Sequence, residues 1–264
     1  MQLTRIIPVL LLKNGQLVRS SNFNDHRFVG DPFLQCERFN SWNIDEIIYL
    51  NIDRLNSVDR FGRSDQRSNV VKDIEKIQEF VSQSCQVPLS WGGNLTTAVD
   101  ASRAIEVFGA DKVVFTSALD KNPAAIAETA HKFGSQAVCV GVDFRFEDNQ
   151  FSVYVKSGTL KVETTLDRWI KRAIDFGAGE ILLHAIDRDG LKLGFDLTAL
   201  DVVKSVTNLP IVMLGGAGSP EHLVKAARAG ASGVAASNMW HFADNVADLI
   251  RDEFERHNVP IRKP

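Results

Sequence analysis

The sequence predicts an α/β protein, a single (β/α)8 TIM barrel over residues 1–264 with a half-barrel internal repeat. Three observations predict it. Short apolar runs of strand length alternate with stretches of helical periodicity, eight times along the chain. Eight such units in 264 residues match the ~250 residues typical of the closed barrel. No GxGxxG follows the first run, which disfavours the alternative, an open doubly wound sheet.

The clearest unit is Gly177–Gly190, where a glycine turn leads into Glu180, a buried apolar run and then a cluster of acids and a base. The other units are weaker copies. Strand one is Ile6–Leu12, followed by a turn at Lys13-Asn14-Gly15 and a long polar loop over Leu17–Asp31. Asp31-Pro32 opens a helix, since Asp caps well and Pro suits the first helical position. Strand two is Glu46–Ile52. The exposed loop Asp53–Ser68 follows, then a helix with Val70, Val71, Ile74, Ile77 and Val81 on one face. Strand three is Pro88–Trp91, helix Thr97–Phe108, strand four Lys112–Ser117, helix Pro123–Phe133 and strand five Ala137–Asp143. Alternation in Phe151–Val155 and Leu160–Thr164 around Ser157-Gly158 predicts an inserted hairpin. Helix Leu166–Phe176, strand six from Glu180, helix Leu197–Val206, strand seven Ile211–Leu214, helix Glu221–Ala229, strand eight Gly233–Ala236 and helix Asp244–His257 complete the set. Trp91-Gly-Gly…Phe108-Gly-Ala-Asp111 echoes Leu214-Gly-Gly…Ala229-Gly-Ala231, a repeat at half-chain scale.

Composition narrows the function classes. A net charge of -3 carries no signature of nucleic acid or of an anionic membrane surface. The run Ile6–Leu12 is too short to span a bilayer and no cleavage site follows it. Cys36, Cys85 and Cys139 have no metal-binding spacing and read as reduced thiols of a cytoplasmic protein, with Cys139 in the core. No metal or cofactor is expected.

In a (β/α)8 barrel the C-terminal strand ends carry the active site. Here they hold Asp53, Gly92-Gly93, Thr116-Ser117, Asp143, Asp187, Asp189-Gly190, Gly215-Gly216 and Ala236-Ser237. Each glycine pair either makes a tight turn or presents backbone N–H groups to a phosphate. Two such half-barrel sites would suit a small molecule phosphorylated at both ends, with the strand 7–8 site the stronger. At the opposite ends, Arg5, Glu46, Lys112 and Glu180 each precede an apolar run at one depth. They either solvate the barrel floor or point inward as an alternating ring, because buried charges must be paired.

A resemblance adds to this reading. Arg5-Ile-Ile-Pro8, Gly30-Asp-Pro32, Ile44-Asp-Glu-Ile47, Gly109-Ala-Asp-Lys-Val113, Phe133-Gly-Ser-Gln-Ala137, Gly177-Ala-Gly-Glu-Ile-Leu-Leu183, Ile186-Asp-Arg-Asp-Gly190 and Gly215-Gly-Ala-Gly218 closely resemble the cyclase subunit of imidazole glycerol phosphate synthase, in register along essentially the whole chain. The resemblance implies a glutaminase docked on the barrel floor. Ammonia would pass a gate formed by Arg5, Glu46, Lys112 and Glu180 and reach a bis-phosphorylated substrate at the top. Asp111 matches an acidic docking position facing the glutaminase.

The top departs from that family. It uses two aspartates as acid and base; Asp143 matches the second, and the first falls on Leu11, which cannot transfer a proton. Such a loss costs ~10²–10⁴ in rate. Asn51, Asn94, Thr116, His184 and Leu214 also differ from the family residues. A preserved floor under a rewritten top resembles the divergent branch found with surface-polysaccharide genes, where barrel and glutaminase feed ammonia to a third protein, an amidotransferase making an acetamidino sugar. The implied function is ammonia channelling with cyclization lost or nearly lost. An active histidine-pathway cyclase, with Asp53 replacing the missing carboxylate, and a silent scaffold are the alternatives.

Single residues carry further expectations. His184 points into the barrel mouth or into packing, and Trp91 packs in the core or rim. His241 lies on a surface helix. Arg54, Arg60, Arg63 and Arg67 form a basic loop that is either solvated or contacts an anionic sugar or the third protein. His26 and Arg27 fall where the family has a mobile active-site loop, which implies a lid.

Overall fold

The computed structural model describes residues 3–23, 25–53, 67–241 and 244–262. Eight parallel strands close on themselves: β1 (Arg5–Lys13), β4 (Ile47–Asn51), β5 (Leu89–Gly92), β6 (Lys112–Phe115), β7 (Val138–Glu147), β10 (Glu180–Ala185), β11 (Ile211–Leu214) and β12 (Gly233–Ala236). The ring closes through Glu180–Ala185 pairing with Cys139–Phe144. The eight strand positions follow the apolar runs of the sequence. They read as near-continuous apolar runs because each is buried on both faces, by the barrel interior on one side and the helices on the other.

Two hairpins decorate the top. The predicted one is β8 (Gln150–Val155) with β9 (Leu160–Thr165), continuing antiparallel from β7. The segment expected to be a long polar loop, Leu17–Asp31, is instead a second hairpin, β2 (Gln16–Ser21) and β3 (Asp25–Gly30), extending from β1. Leu17 and Val18 are buried and drive that pairing. The turn lacks glycine, and Asn22 and Phe23 take positive φ of 51° and 58°.

The outer helices are α1 (Pro32–Ser41), α2 (Arg67–Ser84), α3 (Ala98–Glu106), α5 (Pro123–Phe133), α6 (Leu166–Asp175), α7 (Leu197–Lys204), α8 (Pro220–Arg228) and α9 (Val246–Arg256), with a one-turn α4 (Ala118–Lys121). Asp31 caps α1 as expected, accepting from the Phe33 and Leu34 amides ahead of Pro32. Thr97 and Asp100 form a reciprocal capping box on α3. No described helix is long and apolar enough to cross a membrane. Arg54, Arg60 and Arg63 lie outside the described residues, as does the side chain of Arg67.

The half-barrel repeat is visible in the backbone. The sequence repeat aligns Gly92 with Gly215, but the shared setting falls one residue out of that register: a Cβ on Gly93 (φ +87°) or on Gly215 (φ +95°) would strike a carbonyl oxygen of the neighbouring strand's end, Asn51 at 1.9 Å and Ala185 at 2.4 Å. On the floor, Asp45 accepts from the Ile6 amide and Asp111 from the Leu89 amide, both at 2.8 Å. Each ties its own strand to the preceding one. Trp91 is core, stacked on Tyr49 with centroids 5.4 Å apart. His241 is not on a surface helix: it is half-buried in a 3-10 turn over Asn238–His241. There burial and the cations Arg38 and Arg19 lower its pKa to about 4.

Candidate functional site

Strand alternation decides what the barrel encloses, because successive side chains point to opposite faces. On β1 the inward set begins at Arg5 and continues through Ile7 and Val9 to Leu11. On β10 it is Glu180, Leu182 and His184. Glu46, just before β4, and Lys112, at the start of β6, complete the lowest level.

These four ionic groups meet. Arg5 Nη1 lies 2.5 Å from Glu46 Oε2, and the same guanidinium pairs with Glu180 through Nη2. Lys112 Nζ lies 3.0 Å from Glu46 Oε2 and 2.8 Å from Glu180 Oε2. Each cation therefore bridges both anions. Ser90, inward on β5 between them, donates to Glu46 Oε1 at 2.6 Å. The carboxylates are nearly sealed, with side-chain exposures of 3% and 8%, whereas Arg5 and Lys112 keep 24% and 18%. Burial alone would lower the pKa of both cations, but Glu180 and Glu46 outweigh it, and both stand above their ordinary values. The floor is thus a charge-balanced plug with its acids inside and its bases reaching toward water.

Above the plug the interior is hydrocarbon. Ile7, Val9, Ile48, Val114, Cys139, Leu182, Val212 and Ala235 form one buried cluster, separate from the larger core between barrel and helices. Burial pushes the Cys139 thiol up, so it is a neutral wall group. Leu11, Leu50 and Leu214 continue the apolar lining at the top.

The mouth has one polar wall. Asp143 on β7 and His184 on β10 are direct neighbours in register, with Asp143 Oδ1 3.0 Å from His184 Nδ1. A carboxylate oxygen accepts, so Nδ1 carries the hydrogen and Nε2 faces away. That Nε2 is buried without a hydrogen-bond partner. Burial opposes the imidazolium, but the bond to Asp143, reinforced by Asp189 and Asp187, raises His184 above the usual histidine value. Leu11 lies across the barrel: β1 and β7 are four places apart in the eight-strand ring. Phe23 reaches the imidazole from the β2–β3 turn, its ring 5.2 Å away in an edge contact.

The other predicted top residues divide by what they touch. Asp189 holds the turn, accepting from the Asn22 amide through its carbonyl at 3.0 Å and from the Phe23 amide through its carboxylate at 3.3 Å. Gly190 (φ +71°) lies against Ser20, where a Cβ would come within 2.6 Å of the carbonyl. Ser117 accepts from the Lys156 amide at 3.1 Å, so its hydroxyl anchors the second hairpin. Gly92 packs against Leu50 and Val114, and a Cβ there would clash at 2.7 and 2.8 Å. Thr116 contacts Gly141 in the same way. Ala236 is buried, and its carbonyl accepts from the Trp240 indole at 2.7 Å.

Near strands 7 and 8 the polar groups are differently placed. Gly216 (φ +94°) approaches the Gly194 carbonyl closely. Ser237 Oγ and Asn238 Oδ1 are buried and without partners, as is Ser20 Oγ on the hairpin. A cavity of about 320 Å³ opens beside them, lined by Arg19, Ser20, Ser21, Asp25, Arg27, Gly190, Lys192 and Asn238, with Asp25 paired to Arg27. Unpartnered buried hydroxyls beside arginines and a lysine are what an anionic oxygen ligand would satisfy. Asp111 is exposed on the floor, with one oxygen committed to Leu89. His26 contacts Lys13 at 3.3 Å and Arg27 contacts Asp25 at 3.4 Å, both on the first hairpin.

Sequence reasoning left three features unseen. The first hairpin lacked a turn signal. The Cys36–Cys85 thiol contact joins residues on separate elements. The partnership of Asp143 with His184 was hidden, although both fall at the same inward parity on adjacent strands.

Comparison with known proteins agrees with this geometry. A family model described as "Histidine biosynthesis protein" matches residues 5–245. The imidazole glycerol phosphate synthase subunit HisF of a Hydrogenobaculum species is 35% identical over 260 residues, covering 98% of each chain. That of a Thermotoga species is 35% identical over 258 residues, covering 98% of this chain and 97% of its own. That of Streptococcus mutans is 34% identical over 261 residues, with 98% of each chain covered. With a closed barrel and identity that runs nearly end to end to proteins named HisF, this chain belongs to the histidine biosynthesis protein family.

Proposed function

We propose that this chain is the barrel subunit of a cytoplasmic glutamine-dependent complex, conducting ammonia from a HisH-type glutaminase on its floor to an acceptor at its top. The carrying observation is the closed Arg5–Glu46–Lys112–Glu180 plug beneath an interior of hydrocarbon. Neutral ammonia crosses an apolar conduit; hydrated ions do not, because stripping their water is too costly. Opening the floor requires a cation to leave both acids at once, an event a docked partner can drive through Asp111 and the exposed edges of Arg5 and Lys112.

Leu11 stands opposite Asp143, so the two-carboxylate proton transfer of the family has lost one member, at a cost of ~10²–10⁴ in rate. This supports a role in the divergent branch, delivering ammonia to a separate amidotransferase acting on a polysaccharide sugar. A phosphorylated ligand would sit at Gly215, Gly216, Ser237 and Gly190, with Gly92, Gly93, Thr116 and Ser117 as the weaker, half-related place. The names of the relatives favour a second reading, histidine-pathway cyclase.

The test is reconstitution with a HisH-type glutaminase. Binding to the floor, stimulated glutamine hydrolysis, and leakage of ammonia to solvent in Arg5→Ala or Lys112→Ala are expected. Absence of binding, or gate variants that transfer nitrogen from glutamine as well as wild type, would refute the channel. Cyclization of the bis-phosphate substrate within tenfold of a HisF relative would favour the second reading.

A further inference from the structure

The mouth of this barrel has lost a carboxylate at Leu11 but has gained an imidazole. We infer that His184, oriented by Asp143, is the group that moves the proton when ammonia adds to an electrophilic carbonyl carbon at the barrel mouth. The inference rests on the reading that ammonia arrives there, but it concerns chemistry and not conduction.

Four observations carry it. First, His184 shares a strand and an inward parity with Glu180 and Leu182. Four residues at ~3.3 Å each place it about 13 Å along the tilted strand from Glu180, at the end of the apolar conduit. Second, the Nδ1–Asp143 bond at 3.0 Å fixes both the ring plane and the tautomer, leaving the Nε2 lone pair as the free function. Third, Nε2 is buried and unpartnered, an expensive state for a polar atom unless something else occupies that space during function. Fourth, Phe23 covers the ring from a backbone conformation unfavourable for a bulky residue, and Asp189 supplies the two bonds that hold it there. A histidine merely filling the core would need neither an unpartnered nitrogen nor the strained cover.

The step balances without any co-reactant. The ammonia lone pair forms the C–N bond while the carbonyl π pair moves to oxygen. Nε2 takes one proton from the resulting ammonium nitrogen, and the imidazolium returns it to the oxygen, giving a carbinolamine. A second passage of a proton by the same route releases water and leaves an imine. Asp143 stabilises the imidazolium throughout and is a positioning residue. Among the described residues, the charged groups acting on the ring are Asp143 from β7 and Asp187 and Asp189 beyond β10; β11 places Leu214 and Gly215 beside it. All three acids favour the imidazolium, so the acidic limb of a rate profile lies above the ordinary histidine value.

The experiment uses the full chain with ammonium chloride as nitrogen source and the bis-phosphate substrate of imidazole glycerol phosphate synthase, from pH 6 to 9. Ammonium-dependent turnover, expressed per concentration of free NH3 at each pH, is expected in wild type, below that of two-aspartate relatives and rising through one ionisation. His184→Gln should lower kcat by about 10²–10⁴ and abolish that limb. Asp143→Asn should lower kcat and move the limb to lower pH. No wild-type turnover above the buffer rate, or His184→Gln within threefold of wild type, would overturn the inference, leaving ammonia conduction to be judged by its own assay. Should His184→Gln fail to fold, the imidazole ¹⁵N spectrum of wild type decides. A proton on Nδ1 and a bare Nε2 in the neutral form are expected; the opposite tautomer would overturn the inference.

Discussion

Lys112 Nζ sits within 3.1 Å of both oxygens of Glu46, two strands away around the barrel wall, while also pairing with Glu180. The intervening strand contributes only the small Ser90 at that level, whose hydroxyl completes the shell of Glu46. A larger side chain there would hold the acid and the lysine apart. The floor is therefore specified by one small residue as well as by four charged ones.

Removing a sealed member should be costlier than removing an edge member. Glu46→Gln leaves Arg5 and Lys112 sharing one acid, and should destabilise the fold by roughly 3–5 kcal/mol. Arg5 and Lys112 retain contact with water, so Lys112→Ala should cost less, because the stranded carboxylates keep Arg5 and gain hydration. Urea denaturation of the two variants checks the order. Equal losses would mean that the acids are not sealed as described.

The floor also sets an alkaline limit. The folded pKa of Lys112 is raised above its free value, so its contribution to stability is complete below that free value of about 10.4 and is lost as pH rises through the folded one. Urea midpoints should fall in that alkaline window. Lys112→Arg, whose charge persists to higher pH, should flatten the fall.

At the acid end a different residue acts. His241, with a folded pKa lowered to about 4, stays neutral where the unfolded chain protonates. Stability is complete above the unfolded value of about 6.5 and is lost progressively as pH falls toward the folded one, by up to about 3 kcal/mol. His241→Phe should remove that part of the acid slope. Thermal midpoints from pH 7 to pH 4 decide it, and an unchanged slope would mean that neither burial nor Arg38 and Arg19 hold this ring neutral.

Much of this was legible in sequence because barrel physics repeats. Apolar runs of four to seven residues, four of them led by a charge at Arg5, Glu46, Lys112 and Glu180, reveal strand, floor and direction together, and Gly-Gly marks where a strand end meets its neighbour's carbonyl. The first hairpin was not legible. Asn22-Phe23 offers none of the glycine a tight turn usually needs, and its conformation is held by Asp189, more than 160 residues later. Asp143 and Leu11 could be read as present and absent acids, but the bond to His184 depends on strand register, which no local pattern reports.

The thiols show the same limit. Cys36 on α1 and Cys85 just beyond α2 share a hydrogen bond, which raises Cys36 and lowers Cys85, while Cys85 also contacts the Val87 carbonyl at 3.2 Å. Cys85 is half-buried and the other two thiols are buried. Iodoacetamide at pH 7.5 should therefore label Cys85 first. Cys36→Ala should slow that labelling, since the lost bond returns Cys85 toward its ordinary value. Peptide mapping over time gives the order, and faster labelling of Cys139 would contradict its place inside the barrel.

The decisive substitution is Leu11→Asp. Leu11 is only partly buried and sits at the mouth, paired in register with Leu50 on β4 and facing the wall that carries Asp143. A carboxylate there remains hydrated and should cost little stability, unlike one placed at Ile7 or Val9, both fully buried. If a missing proton-transfer group limits the rate, Leu11→Asp should raise ammonium-driven turnover of the bis-phosphate by about 10²-fold or more. It should also reduce the dependence on His184, so that Leu11→Asp/His184→Gln exceeds His184→Gln alone. Steady-state assays of the four proteins check this. A gain of less than threefold would mean that the mouth has diverged in substrate fit as well as in proton transfer, because a restored acid cannot act on a molecule the site no longer holds.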